Sequence, residues 1–147
     1  MSRQQTVQQI LEAKRRLNLS WMDIAKRVGR SEVWTTAACL GQTTCSPEEV
    51  LRLAETLEME PDDMAVLTAV PYRGTHAEMP PRDPTIYRLY EIILVYGETI
   101  KELIYEKFGD GIMSAIDFQM SVQRIEDPAG DRVEIVMNGK FLPYKKW

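Results

Sequence analysis

Apolar residues recur at helical spacing through the first seventy positions. Val7, Ile10, Leu11 and Leu17 predict a helix over 4–17. Ser20, with Asp23 three residues on, opens a second helix in WMDIAKRVG that Gly29 closes. Ser31 opens EVWTTAACL, which Gly41 closes. Ser46-Pro47-Glu48-Glu49 starts VLRLAETLEM, and Pro61-Asp62-Asp63 starts a short helix through Leu67. The pattern then breaks. Residues 71–83 hold Pro71, Gly74, Pro80 and Pro81 and read as an extended linker. A long helix follows, with Asp83 as N-cap, Pro84 at its first position and Gly109-Asp110-Gly111 as its stop. Beyond it the period falls to two. Ile116, Phe118, Met120 and Val122 predict a half-buried strand, and Asp127-Pro128-Ala129-Gly130 a turn. Val133, Ile135 and Met137 predict a second strand, Asn138-Gly139 a tight hairpin turn, and Phe141-Leu142 the start of a third strand. The fold class is α+β: a helical bundle over 1–70, a linker over 71–83, and a helix with short β-strands over 84–147.

The long helix has an unusual interior. Between Ile86 and Tyr96 only Arg88 and Glu91 are charged, and their spacing of three puts both on one face. A helix apolar on most sides is expected to be buried on most sides, its charges included. Two readings follow: a structural Arg–Glu bridge that sets register in an interface, or an anion site built on Arg88. One helix and two or three strands cannot cover Tyr87, Leu89, Tyr90, Ile92, Ile93 and Leu94. The surplus predicts an intertwined dimer with this helix near its two-fold axis. There Arg88 and Glu91 would meet their own copies, forming a doubled cationic site suited to two small anions.

Charge narrows the partners. Residues 1–70 carry eight basic and ten acidic side chains, and 71–147 carry ten and twelve, a net −2 in each half. Neither half has the basic excess of a nonspecific nucleic-acid binder. No apolar run is long enough for a membrane span and no signal-peptide pattern opens the chain, so a cytoplasmic protein is expected. Cys39, Cys45 and the lone His76 form neither a metal-ligand pattern nor a triad. The helix order, with LSWMDIAKRVG as its first-helix pattern, resembles the helix-turn-helix core of phage repressors. Yet Ser31–Leu40, where base-reading side chains belong, offers only Ser31, Glu32, Thr35, Thr36 and the bulky Trp34. No Arg, Lys, Asn or Gln is present there, and Glu32 would repel phosphate. Packing or assembly is the expected use of this bundle.

The segments Y-R-x-Y-E, V-Y-G-x-T, E-K-F-G-D-G-I and S-A-I, in RLYEIILVYGETIKELIYEKFGDGIMSAIDF, resemble the cyanase family, the bicarbonate-dependent cyanate hydratases (cyanate lyases). The likeness covers most of 20–147 and is strongest from Asp83 to Phe118. It implies a repressor-like bundle not used on DNA, interlocked dimers, and five dimers in a decamer. It also implies catalytic roles for Arg88, Glu91 and Ser114, bicarbonate as co-substrate, and no metal or organic cofactor. Ser114 is expected to bind an anion with its hydroxyl and nearby N–H groups rather than act as a nucleophile, since no histidine is placed to activate it. Glu91 is expected to orient Arg88, with proton transfer left open. Asp110 and Asp117 read as a turn cap and a strand-face residue rather than a second carboxylate pair. The alternative is a helix-turn-helix regulator whose C-terminal part dimerises or senses a ligand.

Overall fold

The computed structural model describes residues 1–73 and 79–146. It divides into two compact units, Met1–Thr75 and His76–Trp147. Gly74 and His76 of the linker, and Trp147, lie outside the described residues. Of the rest of the linker, Pro71 is buried while Tyr72 and Arg73 are exposed.

The first unit is helical: α1 (Arg3–Arg16), α2 (Trp21–Val28), α3 (Glu32–Cys39), α4 (Pro47–Leu57) and α5 (Pro61–Met64), which tightens into a 3-10 turn, Ala65–Thr68. The starts of α2 and α4 are built as the pattern predicts. The Ser20 hydroxyl accepts from the Asp23 N–H, and Asp23 accepts from the Ser20 N–H in return. Ser46 and Glu49 repeat this at α4, and Ser2 and Gln5 do so at α1. Each box satisfies two backbone donors that a helix start otherwise leaves open. Ile10, Ile24, Val28, Leu53, Leu57, Met64 and Leu67 form the core, fully buried. At about 1.5–3 kcal/mol per buried side chain, this cluster dominates the unit's stability. Cys39 and Cys45 lie in the same core as free thiols. Burial, then the neighbouring Cys45, pushes the Cys39 thiol up to about 12. Burial, then nearby Glu49, pushes Cys45 to about 11.

One charge enters this core. Glu49 is buried, and its Oε1 accepts from Arg30 Nε at 2.6 Å while its Oε2 accepts from the Ser46 N–H at 2.7 Å. The Arg30 guanidinium also lies 5.3 Å from the centre of the Trp34 ring. Arg30→Ala would leave the buried carboxylate with the helix cap alone. The expected loss is about 1–3 kcal/mol of unfolding free energy, read from the urea midpoint; an unchanged midpoint would show the pair to be decorative.

The second unit is one helix and one hairpin. In α6 (Pro84–Phe108), Asp83 Oδ1 accepts from the N–H groups of Thr85 at 2.9 Å and Ile86 at 3.0 Å, and Gly109 ends the helix. β1 (Gly111–Ile125) pairs antiparallel with β2 (Arg132–Pro143). The Phe108 and Phe141 rings stack at 5.2 Å, and the Tyr144 N–H donates to the Asp110 carbonyl, tying the end of β2 to the helix stop.

The strand pattern corrects the sequence expectation. β1 starts at Gly111 rather than near Ile116, and Asn138-Gly139 is not a turn. β2 runs through it, with Asn138 paired to Gln119 and Gly139 to Phe118, so the expected third strand is the continuation of the second. The turn is at Asp127–Gly130, where the Gly130 N–H reaches the Asp127 carbonyl and Asp127 Oδ1 accepts from the Ala129 N–H. The cause is an irregularity in β1. Met113 pairs with Phe141 and Phe118 with Gly139, so Ser114–Asp117 bulge out opposite Lys140 alone. The half-buried face expected of this strand is not covered within the chain: Ile116 is 96% exposed, Met120 and Val122 are exposed as well, and only Phe118 of the four is partly covered.

The long helix is left uncovered by its own unit, as its surplus of apolar residues predicts. No residue of α6 is buried within the chain, and Ile92, Ile93, Leu94, Val95 and Tyr96 are all exposed. A single hairpin is too small to cover a helix apolar on several sides.

Candidate active site

Arg88 and Glu91 stand in the first turns of α6, and Arg88 Nη1 donates to Glu91 Oε2 at 3.1 Å. Their side chains are 70% and 47% exposed, so the burial expected of them is not supplied by their own chain. An exposed pair at this spacing is worth about 0–1 kcal/mol. Stability of the single chain therefore gives little reason for two charges on an apolar helix. The Arg88 guanidinium lies over the Tyr87 ring, 5.9 Å from its centre.

Ser114 is held differently. It is only 6% exposed, and its hydroxyl oxygen accepts from the N–H groups of Ile116 at 3.1 Å and Asp117 at 3.0 Å. Both hydroxyl lone pairs are used within the bulge, which leaves the O–H to donate. A group held in this way can offer a fixed donor to an oxyanion. The Ile116 and Asp117 N–H groups are thereby spent on Ser114 itself. Asp117 lies in the same bulge, and Asp110 at the helix stop gives its carbonyl to Tyr144.

One chain does not bring the three residues together. Twenty residues of α6 separate Arg88 from Phe108, about 30 Å of helix. Ser114 lies six residues further on, a reach of about 20 Å at most, and α6 and β1 approach closely over only a few residues. Spacing in the sequence cannot reveal what holds Ser114: the bulge, and the bare α-carbon of Gly139 beneath it.

In the first unit the hydroxyl groups of α3 and its cap are either engaged locally or, at Thr35, buried without a hydrogen-bond partner. Ser31 caps the helix by accepting from the Trp34 N–H, Thr36 donates to the Glu32 carbonyl, and Thr35 is fully buried. Glu32 is what remains to face a duplex, which leaves the regulator reading without a base-reading group on this helix.

The chain is thus a helical bundle followed by a helix-and-hairpin unit that carries the Arg88–Glu91 pair. Residues 3–71 match the family model for the N-terminal part of cyanate hydratase, and residues 78–146 match the model for the cyanate lyase C-terminal domain. The chain is 52% identical to the cyanate hydratase of Methylibium petroleiphilum and 51% identical to that of Polynucleobacter asymbioticus, each over 100% of both chains. A crystal structure of cyanase from T. urticae matches with a TM-score of 0.86 at 37% identity, covering 95% of this chain and 97% of that one. The chain belongs to the cyanate lyase (cyanate hydratase) family and is an enzyme of that class.

Proposed function

We propose that this enzyme decomposes cyanate with bicarbonate as co-substrate. A bicarbonate oxygen attacks the cyanate carbon, and the bicarbonate proton passes to nitrogen, giving a carboxy-carbamate dianion. That dianion loses CO2 and takes up one proton to become carbamate. Carbamate takes a second proton and releases ammonia and another CO2. Cyanate, bicarbonate and two protons thus give ammonia and two CO2.

The observation that carries this reading is the Arg88–Glu91 pair, the only charges between Ile86 and Tyr96 in a chain that matches cyanate hydratases end to end. Two anions must be brought together against their repulsion, and a planar guanidinium can hold two oxygens at once. Ser114 supplies a fixed O–H donor to the second anion. The work asked of the protein is juxtaposition and charge stabilisation, chemistry that uses no metal or organic cofactor.

Copies of the chain complete the site: intertwined dimers, five to a decamer. The uncovered apolar face of α6 supports this, as does the separation of Ser114 from Arg88 along one chain. Among the described residues no helix is long and apolar enough to cross a membrane, in keeping with a cytoplasmic enzyme.

The test is ammonia release from cyanate by the purified protein, with bicarbonate present and with it rigorously removed. Release that depends on bicarbonate is expected. None in either condition, from an intact oligomer, would refute the reading and favour a regulator. Within the site, Glu91→Gln keeps an acceptor for Arg88 but removes the charge. It is expected to assemble normally and to lose about tenfold in kcat; full turnover would leave Glu91 a structural residue.

A further inference from the structure

The asparagine–glycine dipeptide of β2 has no turn to make, and that leaves Gly139 unexplained. The left-handed region does not account for it: among the described residues the glycines with positive φ are Gly29, Gly41, Gly109 and Gly130. Space does. A Cβ placed on Gly139 would overlap the carbonyl oxygen of Ser114 and would stand 2.6 Å from Met113 Cγ and 3.3 Å from Phe118 Cδ2. Contacts that short force something to move, and the nearest group is backbone, which cannot swing aside as a side-chain end does. The residue in the way is the one whose hydroxyl the bulge holds.

We propose that Gly139 is a positioning residue for Ser114: the bulge of β1 closes onto its bare α-carbon, and that seat sets the direction of the Ser114 O–H. The inference rests on the reading of Ser114 as an anion-binding group and adds the element of β2 that aims it. The pairing on either side, Met113 with Phe141 and Phe118 with Gly139, fixes both ends of the bulge. Its interior is fixed by the Ile116 and Asp117 N–H groups on Ser114 Oγ. A methyl at Gly139 would lift the Ser114 carbonyl and rotate its Cα–Cβ bond with it.

The experiment is a double-mutant cycle on the full-length protein, with Gly139→Ala, Ser114→Ala and both together. It is read by kcat/KM for cyanate and by the inhibition constant of oxalate, a small dianion standing for two adjacent monoanions. Gly139→Ala is expected to weaken oxalate about tenfold and to lower kcat/KM by a similar factor, with far-UV circular dichroism and oligomer size retained. On the Ser114→Ala background it is expected to cost less than about twofold more, because the group it aims is already gone. Wild-type values for Gly139→Ala, or losses that simply multiply in the double variant, would overturn the proposal while leaving Ser114 in its role. Wild-type values for Ser114→Ala would overturn that role itself. Should Gly139→Ala fail to assemble, Met113→Ala loosens the same seat without touching either residue. It is expected to weaken oxalate several-fold, and an unchanged constant would sink the idea equally.

Discussion

Arg88→Lys is expected to lower kcat/KM for cyanate by about 10³-fold, equivalent to about 4 kcal/mol of transition-state stabilisation. The charge is kept, so the loss measures geometry. Two monoanions about 4 Å apart repel by about 4 kcal/mol at an effective dielectric of about 20, and a point charge on a flexible stem offsets that less well than a rigid fork. Lysine also cannot give one donor to Glu91 while presenting another pair in the same plane, as Arg88, bonded to Glu91 at 3.1 Å, is able to do. Steady-state kinetics at saturating bicarbonate check this. Turnover near that of the wild type would take Arg88 out of the mechanism.

Ser114→Ala is expected to cost about 10²-fold in kcat/KM, the order of loss seen when a preorganised donor to an oxyanion is removed. Most of it should appear as weaker binding of anions, measured as a higher oxalate inhibition constant, if the hydroxyl is the binding group proposed and not a nucleophile. The variant also leaves the Ile116 and Asp117 N–H groups without their acceptor, at about 1–3 kcal/mol of local stability. Hydrogen exchange at those two amides separates the effects. Faster exchange with unchanged oxalate binding would make Ser114 a purely structural residue of the bulge.

The helical unit could be read from its sequence because its signals are local. Ser20 with Asp23 and Ser46 with Glu49 announce their helices within three residues, and the structure builds both boxes. Asp83 with Pro84 did the same for the long helix. The hairpin defeated the same approach at Asn138-Gly139. A dipeptide that usually marks a turn sits inside a strand, because its partner strand carries surplus residues between Met113 and Phe118. Nothing near Gly139 in the sequence announces that bulge, which lies more than twenty positions away. The candidate site divides along the same line. Arg88 and Glu91 stand out as charges in an apolar run, whereas Ser114 was reached through a motif and its support came only with the strand register. The apolar helix was rightly read as too much surface for its own unit. Within one chain its charges stay exposed, and the burial expected of them falls to the proposed second subunit.

The exposed face of α6 also bears on how the protein comes into being. The first unit contains its own core, from Ile10 to Leu67, and emerges first from the ribosome. The second has no buried residue along its only helix. If other copies cover that helix, as proposed, its order depends on meeting them, and by mass action its apparent stability rises with protein concentration while that of the first unit does not. On the proposed assembly, dilution is expected to melt the second unit and leave the first folded, so each chain would carry its unassembled segment on a body that is already folded.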